Sequence, residues 1–464
     1  MLSHRSFYGA LILGSFLCLL QDSMAEVGKL VCFYEAASFV REGELGLLIF
    51  ACQTDQRLSV SLSGPAQLSL VELEPALSFC NFLVYGYAGI DAESHKIKSL
   101  DPELSYNRQH YRKITALRQK FPHVRFLLSV GGNRDLSAEG LVDNVKYLNV
   151  LEQPEHRSSF RASVVAELSN YGFDGLDLAW QFPMNRPKLQ QGVLKRAWSA
   201  VRGWFSVASV DSKAPEHREQ FATLVRELRM DLQRSGKLLS LSMLPHVDAE
   251  LFIDVPSVLE HVDFVNLGTY DFHTPERDPK VGDLPAPLYA MYDRDPTHSV
   301  QHQVQYWLNQ TSGSNAGQLH ISIASYGRSW NMTRNSGITG YPPIPAADGA
   351  APAGKQTGIP GLLSWPEICE LLQQQPLDKE APHLRKVGDP TKRFGIYAYR
   401  SADENGQNGL WVGYEDPTTA AIKAGFSQAQ GLGGVAFHDV SLDDFRGQCA
   451  GEKYPILRSI KYRL

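Results

Sequence analysis

The chain has 464 residues, 43% of them hydrophobic and 20% charged, with a formal net charge of −5. That length admits two or three average domains, or one large barrel with insertions. The composition is that of an ordinary globular protein, and the negative balance argues against a global nucleic-acid binder.

At the start, His4 and Arg5 precede an apolar run from Phe7 to Leu20, and Ser23-Met24-Ala25 supplies a small-x-small cleavage site before Glu26. This layout reads as a signal peptide over residues 1–25. The run is too short for an ordinary membrane span. The mature protein, residues 26–464, is therefore expected to be secreted and extracellular, with no stable membrane insertion. Cys18 leaves with the signal. Cys32, Cys52, Cys80, Cys369 and Cys449 remain in a setting that favours disulfides. An odd number leaves one unpaired.

From there, short apolar runs alternate with helical segments. Candidate strands are Lys29–Tyr34, Phe79–Tyr85, Arg125–Val130, Phe173–Leu178, Leu238–Leu244, Phe264–Thr269, Leu319–Ala324 and Gly433–Phe437. Candidate helices are Tyr106–Phe121, Glu155–Asn170, Pro215–Ser235, Ser299–Asn309 and Pro417–Ala429, the third with Leu224, Leu228 and Leu232 on one face. Such alternation predicts a parallel α/β architecture. Eight strands fit a closed (β/α)8 barrel, although a doubly wound sheet shares the same periodicity.

The fourth strand carries the most particular text, Tyr171-Gly-Phe-Asp174-Gly-Leu-Asp177-Leu-Ala179-Trp180-Gln181-Phe-Pro183. Strand side chains alternate faces, so Asp177, Ala179 and Gln181 share one face and Leu176, Leu178 and Trp180 the other. The apolar face is expected against helices. The polar face reads either as an interior hydrogen-bonded network or as the remnant of a catalytic site.

The spelling FDGLDLAWQFP resembles the signature DGxDxDWEYP of glycoside hydrolase family 18, the chitinases. LLSVGG (Leu127–Gly132), LGTYDFH (Leu267–His273), SYGRSW (Ser325–Trp330) and GLGGVAFHDVSLDDF (Gly431–Phe445) extend the resemblance over nearly the whole mature chain. It implies a TIM barrel with a small α+β insertion at about residues 331–411. It also implies disulfides Cys32–Cys80 and Cys369–Cys449, leaving Cys52 free. In the family the strand-four Glu protonates the glycosidic oxygen, and the third Asp steadies the substrate's N-acetyl group as it attacks. Asp174 and Asp177 match the first two acids, but Ala179 replaces the third Asp and Gln181 the Glu. An amide has no proton to give near neutral pH, and alanine has neither charge nor acceptor. No catalytic residue is therefore expected.

The resemblance further assigns Tyr87, Tyr270, Asp271 and Arg328 to a vestigial sugar groove. The family's tryptophan platforms correspond to Ala37, Asn133 and His438. No second histidine lies at ligand spacing from His438, so no metal is expected, and no cofactor; a hydrogen-bonded pocket histidine is. Asn309-Gln-Thr311 and Asn331-Met-Thr333 are N-glycosylation sequons.

After the fourth strand, Leu194, Trp198, Val201 and Phe205 share one helical face, with Lys195, Arg196 and Arg202 displaced from it. This reads as an extra helix on the barrel, as a partner-binding surface or, less well because the pattern is short, as a membrane-surface helix. With AWQFP, EHREQFATLVREL and Glu35-Ala-Ala-Ser-Phe-Val-Arg-Glu-Gly, it resembles the insect imaginal disc growth factors, a chitinase-like branch of the family. That implies an extracellular growth factor for imaginal disc cells, with a cell-surface receptor or insulin-pathway protein as partner. The alternatives are a chito-oligosaccharide lectin and a weak chitinase. Residues 47–67 interrupt the branch's pattern and read as translated intron or as a lineage-specific loop.

Overall fold

The computed structural model describes residues 28–41, 66–137, 142–184, 211–311, 313–374 and 383–464. The signal segment, Cys18, Cys52, most of residues 47–67 and the basic stretch after the fourth strand lie outside them.

Eight parallel strands close on themselves: β1 (Lys29–Glu35), β2 (Phe82–Ile90), β3 (Arg125–Gly131), β4 (Gly175–Ala179), β5 (Leu238–Ser242), β6 (Phe264–Leu267), β7 (Leu319–Ala324) and, last in the chain, β13 (Gly434–His438). Neighbours follow chain order, and β1 pairs with both β13 and β2, which closes the ring. This is the (β/α)8 barrel expected, not the doubly wound sheet. Both strand faces are buried, as parallel sheets require. Val31, Phe33, Val84, Leu127, Phe264 and Ala436 fill the interior, while the alternate residues pack against the surrounding helices.

The helices follow local signals. A proline in the first turn starts α4 (Pro154–Tyr171), and Gly172, at φ 75°, ends it by returning its N–H to Leu168. The Leu224, Leu228 and Leu232 stripe is buried on α5 (Ala214–Gln233). Asp416 caps α8 (Pro417–Ala429) in a box with Thr419. The expected helix Tyr106–Phe121 is broken, because Gln109 adopts a left-handed conformation and separates a π-turn from α2 (His110–Ala116). The second strand begins later than expected and runs to Ile90, so it carries Tyr87 to the barrel mouth. Helices beyond those expected include α3 (Asn144–Glu152) and α9 (Pro455–Arg463).

Between β7 and α8 the chain forms a second, antiparallel sheet of five strands: β8 (Tyr326–Asn331), β9 (Leu362–Ser364), β10 (Arg385–Gly388), β11 (Ile396–Arg400) and β12 (Leu410–Tyr414). Trp330, Met332, Tyr397, Tyr399 and Trp411 form its own small core. This is the α+β insertion, completed by α7 (Trp365–Gln373). Cys369 on α7 is bonded to Cys449 beyond the last barrel strand, and Cys32 on β1 to Cys80 before β2.

Candidate functional site

The carboxyl end of β4 delivers its polar face into the barrel mouth, as the alternation requires. Trp180 points the other way, edge-on to Tyr147 and Phe160 in the helical layer. Asp177 is fully buried, and three hydroxyls donate to it: Ser129 at 2.7 Å, Ser240 at 2.6 Å and Ser242 at 2.8 Å. Burial still raises its pKa. Asp174 belongs to the other end of the strand, where it accepts from the Phe126 amide at 2.8 Å and pairs with Arg118 at 3.2 Å. Both matching acids are thus spent on holding the barrel together.

Gln181 is fully buried and built into the floor of the mouth. Its amide nitrogen donates to the carbonyl of Gly132 at 2.6 Å and that of Asp135 at 3.2 Å, both in the loop after β3. Two carbonyls can be met only by a donor, so the side chain's nitrogen must face them. A carboxylate there would face two oxygens of its own polarity. Ala179, equally buried, takes the Gly132 amide on its backbone carbonyl at 2.8 Å. Gly132 sits at φ +62°, and a Cβ on it would fall 2.6 Å from the Tyr87 ring. Only glycine lets the loop lie flat between Tyr87 and β4.

The same loop is anchored by a group the sequence reading did not single out. Asp135 accepts from Lys146 at 2.6 Å, Tyr147 at 2.7 Å and the Ile90 amide at 3.0 Å, all buried. Arg134, next door, forms a two-pronged pair with Glu35 at the end of β1, one prong at 2.9 Å. Burial opposes the Glu35 charge, but Arg134 outweighs it and holds the carboxyl below the usual range. The sequence signal was Asn133-Arg134-Asp135 directly after LLSVGG, but nothing in it told which partners these would meet.

Across the mouth, Asp271 is gripped by Arg328, with Nε donating to Oδ1 at 2.9 Å and a terminal nitrogen to Oδ2 at 2.5 Å, and by the Tyr326 hydroxyl at 2.8 Å. Burial works against its charge; the guanidinium prevails and lowers the pKa. His438 stacks on Phe33 at 3.7 Å between ring centres and leans on Tyr270 at 4.8 Å. Burial drives its pKa down to about 3, leaving it neutral. Among the described residues its ring makes no hydrogen bond, and its contacts there are these two ring faces.

One carboxyl in the region titrates closer to neutrality: burial, then the Glu35 charge, pushes Asp439 up to about 6. Both of its oxygens are spent, Oδ1 on the Ser441 amide at 2.9 Å and Oδ2 on the Ser441 hydroxyl at 2.8 Å and the Glu35 amide at 3.3 Å. It therefore offers no ready substitute for a strand-four acid. No group of three or more potential metal ligands occurs among the described residues. Nor is any helix among them long and apolar enough to cross a membrane. Of the sequons, Asn309 lies exposed on α6 (Val300–Gln310), while Asn331 is half-buried in β8.

Comparison with known proteins agrees with the fold. The model of glycosyl hydrolases family 18 matches residues 29–443. Chitinase-like protein Idgf5 of Drosophila melanogaster is 73% identical, with 98% of each chain covered. Imaginal disk growth factor 6 of the same fly is 46% identical, with 97% of each covered. Among solved structures, catalytic domain 2 of the Ostrinia furnacalis Group II chitinase, a mutant in complex with (NAG)5, is 28% identical. It aligns with a TM-score of 0.73 over 95% of this chain and 97% of that one. The chain belongs to glycosyl hydrolases family 18, within its chitinase-like imaginal disc growth factor branch.

Proposed function

We propose that this is a secreted, non-hydrolytic chitinase-like protein that acts as an extracellular growth factor, promoting proliferation and motility of imaginal disc cells in cooperation with insulin signalling. The observation that carries the non-hydrolytic half is the Gln181 amide, committed to two backbone carbonyls at the place where the family's proton donor would stand. Positioned general-acid catalysis contributes roughly 10²–10⁴-fold, and Ala179 removes the electrostatic partner as well. The signalling half rests on the likeness to the two Drosophila proteins, one of them named an imaginal disk growth factor. Residues 1–25 would direct export, and the exposed Asn309 would carry a glycan more readily than Asn331.

A chito-oligosaccharide lectin is the second reading. It is favoured by the retained Tyr87, Tyr270 and Asp271–Arg328 group and by the sugar held in the Ostrinia domain. Purified protein added to cultured imaginal disc cells, with and without insulin, is expected to raise DNA synthesis, most strongly with insulin. Calorimetry with chito-oligosaccharides is expected to show at most weak binding. Cells that stay unresponsive while the sugar binds with micromolar affinity would reverse the order of the two readings.

A further inference from the structure

We propose that a trough between the second sheet and helix α8, sharing no residue with the barrel mouth, binds a small amphiphilic carboxylate, an acyl or aryl acid. A cavity of about 210 Å3 opens there. Leu288, Ile396 and Ile422 supply its apolar lining; Lys386, Lys392 and Thr418 are among its polar groups. A shallower concavity continues it along α8, past Ala421 and Gly425 to Arg463, and shares Lys392, Thr418 and Ile422 with it. Pockets for small ligands combine an apolar lining with a few placed polar groups.

The charges of this trough do not cancel. Asp389 keeps its negative charge but directs it into its own turn, accepting from the Thr391 hydroxyl at 2.7 Å and the amides of Arg393 and Phe394 at 2.7 and 2.9 Å. Lys386, Lys392, Lys423 and Arg463 still outnumber the acids Asp389, Asp416 and Glu415. Asp416 caps α8 through the Thr419 amide at 2.9 Å and pairs with Lys386 at 2.6 Å. Glu415 pairs with the buried Lys423. The side chains of Lys392 and Arg463 are left without a partner among the described residues, and no acid lines the shallow part. An anion fits this imbalance, and the apolar lining asks for a tail on it.

A separate observation points to Lys392. Its backbone is left-handed, at φ 58°, in the turn closed by its amide to the Asp389 carbonyl at 3.0 Å. Glycine would adopt that conformation at no steric cost, whereas a lysine there is strained. Strain of this kind is a reason to look for a use of the side chain, and here the side chain lines the trough.

The proposal is independent of the signalling and lectin readings, and its test does not involve the barrel mouth. The whole protein is titrated calorimetrically with sodium octanoate, with sodium acetate as the tailless control and octanol as the uncharged one. Saturable octanoate binding is expected, with both controls weaker by about tenfold or more. Lys392→Gly should weaken octanoate binding by about tenfold or more while its melting temperature holds or rises, because glycine relieves the turn. Lys392→Asn, which also tolerates the left-handed region, should lose binding equally. Absence of saturable octanoate binding, acetate binding as well as octanoate, or either variant binding like the parent protein would overturn the assignment.

Discussion

Introducing two acids together, Ala179→Asp with Gln181→Glu, is expected to leave chito-oligosaccharide turnover at least about a hundredfold below that of an active family chitinase. The same double change is expected to cost about 2–4 kcal/mol of stability near neutral pH. Gln181 meets the Gly132 and Asp135 carbonyls with its nitrogen; a carboxylate loses both bonds and places buried negative charge against two oxygens. The carboxylate introduced at position 179 would find no ready relay, since Asp177 is already held by three serines. His438 stacks on Phe33 as a neutral plate in the same mouth. Burial raises the pKa of the carboxyl introduced at position 181 in the folded state. The folded protein then binds its proton more tightly than the unfolded chain, so the penalty is full at high pH and eases as pH falls toward the ordinary carboxylate range. Urea unfolding of parent and double variant at pH 8 and pH 5 checks the sign. A penalty that grew in acid would contradict this account of Gln181.

Lys146→Met is expected to destabilise the protein by about 3–5 kcal/mol, because it strands the buried Asp135 carboxylate without its counter-ion. Tyr147 and the Ile90 amide still donate to Asp135, but neither brings a full positive charge. The effect should reach the mouth, since the carbonyl of Asp135 is one of the two that Gln181 holds. Hydrogen exchange of the Gly132 amide, which donates to Ala179, should speed up in the variant. Urea denaturation gives the energy, and a loss below about 1 kcal/mol would mean that Asp135 is far less dependent on this pair than its burial implies.

Much of the barrel is legible in the chain because its strands are buried on both faces and its helices carry explicit caps. Leu319–Ala324 and Pro417–Ala429 fall where the sequence reading puts them, the first a continuous buried run, the second marked by Asp416 and Pro417. Reading is poorest where a backbone conformation decides. The left-handed Gln109 cuts a helix that periodicity alone would continue. At the site, alternation alone places Asp177, Ala179 and Gln181 on one face and Trp180 on the other. It cannot tell that Asp177 serves the interior, or that carbonyls more than forty residues upstream make Gln181 a fastening. That distinction depends on the path of the loop after β3, which is set by Gly132, Asp135 and Lys146 acting together.

The central claim is that the chitinase scaffold persists while its proton donor has become part of the structure. The most direct measurement is turnover of (NAG)5 by the purified, unaltered protein across pH 4 to 8. The account predicts no release of shorter sugars above the uncatalysed background at any pH. Steady multiple turnover would contradict it, because a proton would then be reaching the glycosidic oxygen from a group whose hydrogen bonds and ion pairs already engage it.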